Sequence, residues 1–113
     1  MKEIKAIIRP SKLLEVTEEL HEIEGLPGVT VLEIKGFGKG RATNAKDKIV
    51  YEMVDFIPRI QLEVVVDDEM VDDVVNVIQK YAHTGNTGDG KIFVSTVDDV
   101  VKIRTNERGK DAI

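Results

Sequence analysis

The chain contains no cysteine. That excludes disulfides, thiolate metal sites and cysteine nucleophiles. Long apolar runs are missing too. Those present are as short as Val64-Val65-Val66, far from the ~20 apolar residues that span a bilayer as a helix. Positive charge is in the minority: 16 Lys and Arg face 21 Asp and Glu, for a net charge of −5. This argues against nucleic acid, whose binding depends on a cationic surface, yet it leaves room for local basic clusters that hold a small anion. The opening Met1-Lys2-Glu3-Ile4-Lys5 has no apolar signal-peptide segment, so no membrane insertion and a cytoplasmic location are expected. A Ser/His/Asp order, a metal-ligand cluster and a tuned carboxylate pair are also lacking. Asp72-Asp73 and Asp98-Asp99 read as solvated surface, and His21 and His83 read as inert, His83 favouring the C-terminal dipole of a helix.

What is present suits one compact domain. A length of 113 residues with 42% hydrophobic content supports a core but leaves much surface exposed, which an oligomer would bury. Ile4, Ala6 and Ile8 alternate with Lys5, Ile7 and Arg9, predicting a first strand. Pro10-Ser11 stops it, and Ser11 is a candidate helix cap. Leu13, Val16, Leu20 and Ile23 follow helical spacing until Gly25, Pro27 and Gly28 end the helix. Thr30 to Phe37 reads as a second strand with Leu32 and Ile34 inward. Residues 38–55 are polar and too long for a tight hairpin, the mark of a functional or disordered loop. Arg59 to Val66 is a third strand, burying Ile60, Leu62, Val64 and Val66. Asp67 or Asp68 caps a second helix with the stripe Val71, Val74, Val75 and Ile78. A second loop spans 83–91, Ile92 to Val97 forms a fourth strand and Val100 to Arg104 a short fifth. The tail, 106–113, reads as polar and flexible.

Both halves repeat strand, polar turn, amphipathic helix, strand. The expected class is therefore α+β, a ferredoxin-like βαββαβ fold with an additional short C-terminal strand. Both helices would cover one sheet face. Ile7 and Val65 fall on the other, which suggests cover from further subunits.

Three segments are candidates for chemistry. Gly36-Phe37-Gly38 ends a strand where backbone N–H groups could approach an anion or a flat ring, although a flexible strand exit explains it equally simply. Gly88-Asp89-Gly90-Lys91 offers N–H donors and a point charge, a plausible phosphate cradle without Walker A spacing; a glycine-rich hairpin with a solvated lysine is the plain alternative. Lys102 and Arg104, two apart on a short strand, would share a face and could hold phosphates, or simply protect a strand edge.

Taken together, these segments resemble the PII nitrogen-regulatory signalling family. The resemblance is carried by Ala6-Ile7-Ile8-Arg9-Pro10, Gly36-Phe37-Gly38, Val54-Asp55-Phe56-Ile57-Pro58, Thr84-Gly85-x-x-Gly88-Asp89-Gly90-Lys91-Ile92-Phe93-Val94 and Arg104-Thr105, and it runs almost the full length. It implies a homotrimer with ATP or ADP in clefts between subunits. Thr30, Gly36, Phe37, Gly38, Lys39 and Val65 would line a cleft, and Thr84 belongs to the nucleotide loop. Gly88, Asp89, Gly90 and Lys91 would meet the phosphates, with Lys102 and Arg104 reaching in from a neighbour. The loop 38–55 would dock on an ammonium transporter or a nitrogen-metabolism enzyme.

The chain departs from the family pattern at three places. Where many members carry Arg-Gln-Lys-Gly, this chain has Lys39-Gly40-Arg41-Ala42, and Gly40 lacks the side-chain oxygen that helps ligate ATP-bound Mg²⁺ beside 2-oxoglutarate. Arg59 stands where relatives place a basic residue near that metabolite, so Arg59, Gly40 and Arg41 are the candidate effector positions. Glu52 replaces the loop tyrosine that some members modify, with Tyr51 one position early, and Lys102 replaces an arginine. A specialised relative without a 2-oxoglutarate response, for example a nitrogenase regulator, is the alternative within the family. Outside it, ferredoxin-like folds also host phosphoryl-transfer enzymes and RNA-binding modules. The latter need stacking aromatics on the central strands, and here only Phe37 and Phe93 offer themselves. A regulator, not an enzyme, is the expectation.

Overall fold

The computed structural model describes residues 1–37 and 56–113. Strand β1 (Lys2–Ile8) leads through a 3₁₀ turn (Pro10–Lys12) into helix α1 (Leu13–His21), and β2 (Thr30–Gly36) follows. Strand β3 (Ile57–Val66), a second 3₁₀ turn (Asp68–Met70), helix α2 (Val71–Ala82) and β4 (Lys91–Thr96) repeat the pattern. The sheet order is β2-β3-β1-β4, antiparallel throughout. This is the ferredoxin-like arrangement that the repeated pattern predicts.

The two central strands explain why the core forms where it does. Ile4, Ala6 and Ile8 of β1 lie across from Val64, Leu62 and Ile60 of β3, so one sheet face is apolar over both strands. Val16 and Leu20 of α1 and Val74, Ile78 and Ala82 of α2 close over it. Leu13, Ile23, Val71 and Val75 pack at the margin, completing both predicted helical stripes. Each fully buried Ile, Leu or Val contributes roughly 1.5–3 kcal/mol relative to exposure.

Among the described residues, no helix lies on the opposite face. Paired residues share a face, so it presents Ile7, Gln61 and Lys91 in one row and Glu3, Val65 and Ser95 in another. Ile7 and Val65 are there, as their alternation predicted. Strand β2 corrects the expectation for Leu32 and Ile34. They pair with Gln61 and Arg59 and so belong to the helix-free face, while Val31 pairs with Leu62. Apolar residues occupy both faces of this edge strand, and pairing, not hydropathy, chose between them.

Three further expectations are revised. Neither helix has a side-chain N-cap: Ser11 sits inside the first 3₁₀ turn, and Asp67 makes no capping bond. Asp68 instead accepts from the N-terminal ammonium at 3.0 Å. The expected fifth strand, Val100 to Arg104, does not form. Residues 101–108 make a tight reversal closed by a single Val101–Arg108 bridge, with Asn106 at φ 62°. The segment 106–113, read as a flexible tail, folds into that bridge and a 3₁₀ turn (Gly109–Ala112) that buries Ala112. Residues 38–55, with Gly38, Lys39, Gly40 and Arg41, lie outside the described residues.

Candidate functional site

The loop between α2 and β4 (residues 83–90) is built around one carboxylate. Asp89 Oδ2 accepts the backbone N–H groups of Thr84 and Gly85 at 2.8 and 2.9 Å. Its Oδ1 accepts from the Thr84 hydroxyl and, at 3.1 Å, from Arg9 Nε. Arg9 Nη2 also donates to the Thr87 carbonyl at 2.8 Å. The Thr84 hydroxyl takes a further bond from the Asn86 N–H at 3.1 Å. These contacts hold the Asp89 carboxyl well below the usual aspartate range, with the Thr84 hydroxyl bond the largest cause, followed by the N–H groups and Arg9.

The glycines of the loop are required by close approach. Gly90 has φ 95°, and a Cβ there would fall 1.7 Å from the Ile7 carbonyl oxygen. Gly88 has φ 101°, and its absent Cβ would lie 3.2 Å from Arg59 Nη2 and 3.3 Å from Arg9 Nη2. Two guanidinium groups therefore flank one bare stretch of backbone. Arg59 donates Nη1 to the neighbouring Pro58 carbonyl at 2.9 Å. Lys91 opens β4 opposite Ile7, exposed, on the helix-free face and without a hydrogen bond or ion pair among the described residues. Behind the loop lies a cavity of about 310 Å³ lined by Ile7, Ile8, Ile78, Ala82 and Ile92, with Asp89, His83 and Lys91 as polar neighbours.

Other predicted site residues stand further off. Gly36 closes β2 opposite Ile57, and the Phe37 ring meets Phe56 edge-on, with centroids 5.7 Å apart. Thr30 pairs with Glu63, and Val65 lies four residues along β3 from the Gln61–Ile7–Lys91 row, or about 13 Å at strand spacing. Lys102 pairs with Glu107 at 3.9 Å, and Arg104 is exposed in the reversal after Val101. Neither forms a hydrogen bond or ion pair with the 83–90 loop, so one chain alone does not assemble all of these cations. Their same-face placement on a strand also fails, because that strand is absent.

Arg9 is the residue that sequence reasoning passed over. In the sequence it stands at a strand end and within the motif Ala6-Ile7-Ile8-Arg9-Pro10, but nothing there ties it to the loop, because its partner Asp89 is 80 positions away. With Arg59 and Lys91 it makes three cations against one carboxylate. The arrangement suits an anion with several oxygens. Among the described residues no group of three His, Asp or Glu stands ready for a metal.

A sequence model described as "Nitrogen regulatory protein P-II" matches residues 1–107. The chain is 50% identical to the nitrogen regulatory protein P-II of Azospirillum brasilense, covering 100% of both chains. It is 49% identical to that of Rhodospirillum rubrum, again over 100% of both. A βαββαβ fold with a glycine loop facing a basic cluster, matched over nearly its whole length at this identity, belongs to the P-II family of nitrogen regulatory proteins.

Proposed function

We propose that this protein is a cytoplasmic regulator that binds ATP or ADP in clefts between the subunits of a homotrimer and acts on an ammonium transporter or a nitrogen-metabolism enzyme through residues 38–55. It works by binding, not by turnover. The observation that carries this reading is the bare glycine backbone at Gly88–Gly90 beside Arg9, Arg59 and Lys91. A backbone without Cβ atoms admits phosphate oxygens to N–H distance, and the cations offset their charge. The donor set fits a nucleotide's polyphosphate. Lys91 supplies the mobile point charge, and Lys102 and Arg104 supply further cations from a neighbouring subunit.

The trimer is supported by the helix-free face, where Ile7, Leu32, Ile34, Val65 and Phe93 interrupt the polar residues, and by Ile103, which is 99% exposed. Calorimetry with ATP, ADP and AMP tests the nucleotide reading. Lys91→Ala is expected to weaken ATP and ADP by roughly ten- to hundredfold, since a charge-assisted contact contributes ~1.5–3 kcal/mol. Unchanged affinity in that variant places the phosphates elsewhere.

One position favours a narrower reading. Gly40 provides no side-chain ligand to a nucleotide-bound Mg²⁺. Arg9 and Arg59 still attract a dicarboxylate, but its linkage to the metal is lost, so the protein reads adenine nucleotide with little response to 2-oxoglutarate, as a specialised regulator such as one acting on nitrogenase would.

A further inference from the structure

We infer that the Asp89 side chain is a positioning group for the anion site: its carboxylate touches no ligand and acts by fixing Thr84, Gly85 and Arg9 in their binding arrangement before any ligand arrives. This inference rests on the nucleotide reading above. The carboxylate is fully occupied by the protein itself, with the Thr84 and Gly85 N–H groups on Oδ2 and the Thr84 hydroxyl and Arg9 Nε on Oδ1. A carboxylate aimed at phosphates would repel them; here its charge is met by its own loop. Its depressed pKa agrees with that full set of donors.

The consequence for Arg9 is geometric. A guanidinium has five N–H donors in a rigid fork. Asp89 takes Nε and the Thr87 carbonyl takes one from Nη2, which fixes the plane of the group. The remaining donors have no partner among the described residues, and Nη2 lies beside Gly88, where Arg59 Nη2 also sits. Without Asp89, two adjacent guanidinium groups would repel each other and Arg9 would swing into solvent. The loop N–H groups of Thr84 and Gly85 would lose their acceptor in the same event. Asp89 thus connects the glycine backbone and the basic cluster through one side chain.

The test exploits a difference in sign. If Asp89 bordered the phosphates directly, Asp89→Asn would remove a repulsive charge and ATP would bind more tightly. If it positions, Asp89→Asn replaces one acceptor by an NH₂ group facing donors, and ATP binding weakens about tenfold or more. Calorimetry with ATP reads the affinity. Amide hydrogen exchange at Thr84 and Gly85, measured without ligand, is expected to quicken while exchange in β1 and β3 stays as it was, separating loop release from general destabilisation. Thr84→Val, which keeps the charge and removes one donor, is expected to shift both readouts in the same direction by a smaller factor. It also carries the test if Asp89→Asn fails to fold. Equal or tighter ATP binding by Asp89→Asn, or unchanged affinity and exchange in Thr84→Val, would overturn the positioning role alone. Absence of ATP binding by the unaltered protein would overturn the nucleotide reading and this inference together.

Discussion

Replacing Gly90 by alanine would put a methyl carbon where the Ile7 carbonyl oxygen already is, at 1.7 Å, with the carbonyl carbon at 2.8 Å. No rotamer change relieves this, because both clashing groups are backbone. Ile7 is held on β1 between β3 and β4, opposite Gln61 and Lys91. Retreat therefore breaks sheet pairing on one side or the other. The conformation adds its own strain, since φ is 95° at Gly90 and a non-glycine residue so placed costs about 1–3 kcal/mol. Overpacking adds about 1–3 kcal/mol. Together they give a loss of about 2–6 kcal/mol, against a total of ~5–15 kcal/mol for a typical domain. In thermal unfolding at fixed protein concentration the midpoint should fall by on the order of 10–20 °C. Gly28→Ala is the matched control: nothing lies within 4 Å of its added Cβ, and the midpoint should move by less than ~2 °C. A Gly90→Ala protein as stable as the control would refute the packing of the glycine loop on β1.

Acid should weaken the same loop. The folded Asp89 pKa is lowered, so its stabilising contribution is fully present above the unfolded value of about 3.9 and is lost as pH falls from there through the lower folded value. Urea midpoints measured at about pH 5 and about pH 3 should diverge less in Asp89→Asn than in the unaltered protein; equal divergence would show that Asp89 is not linked to folding. Light scattering at micromolar concentration should give the mass of three 12.6 kDa chains, and a monomer would defeat the shared-cleft reading. Titrating the ATP–Mg²⁺ complex with 2-oxoglutarate should show weak binding or none, whereas tight Mg²⁺-dependent binding would mean that another group substitutes at Gly40.

The sequence by itself determined the central part of this protein. In β1 and β3 the alternation is strict enough to name every buried residue from Ile4 to Val66, and Val16, Leu20, Val74 and Ile78 follow from helical spacing. Periodicity is a local property and each of these elements has one apolar face. The glycine loop and its lysine were legible for a similar reason, being contiguous. Tertiary structure decided the rest. Val31, Leu32 and Ile34 present apolar groups to both sides of β2, so only pairing with β3 settles which face is which. Val100 to Arg104 has the composition of a strand but, among the described residues, finds no neighbour to pair with beyond the Val101–Arg108 bridge. The sequence places Asp89 in the glycine loop but does not show what its carboxylate meets, because Arg9, at the end of β1, is remote in sequence. A carboxylate's role depends on which donors surround it, and those donors come from segments that only the fold brings together.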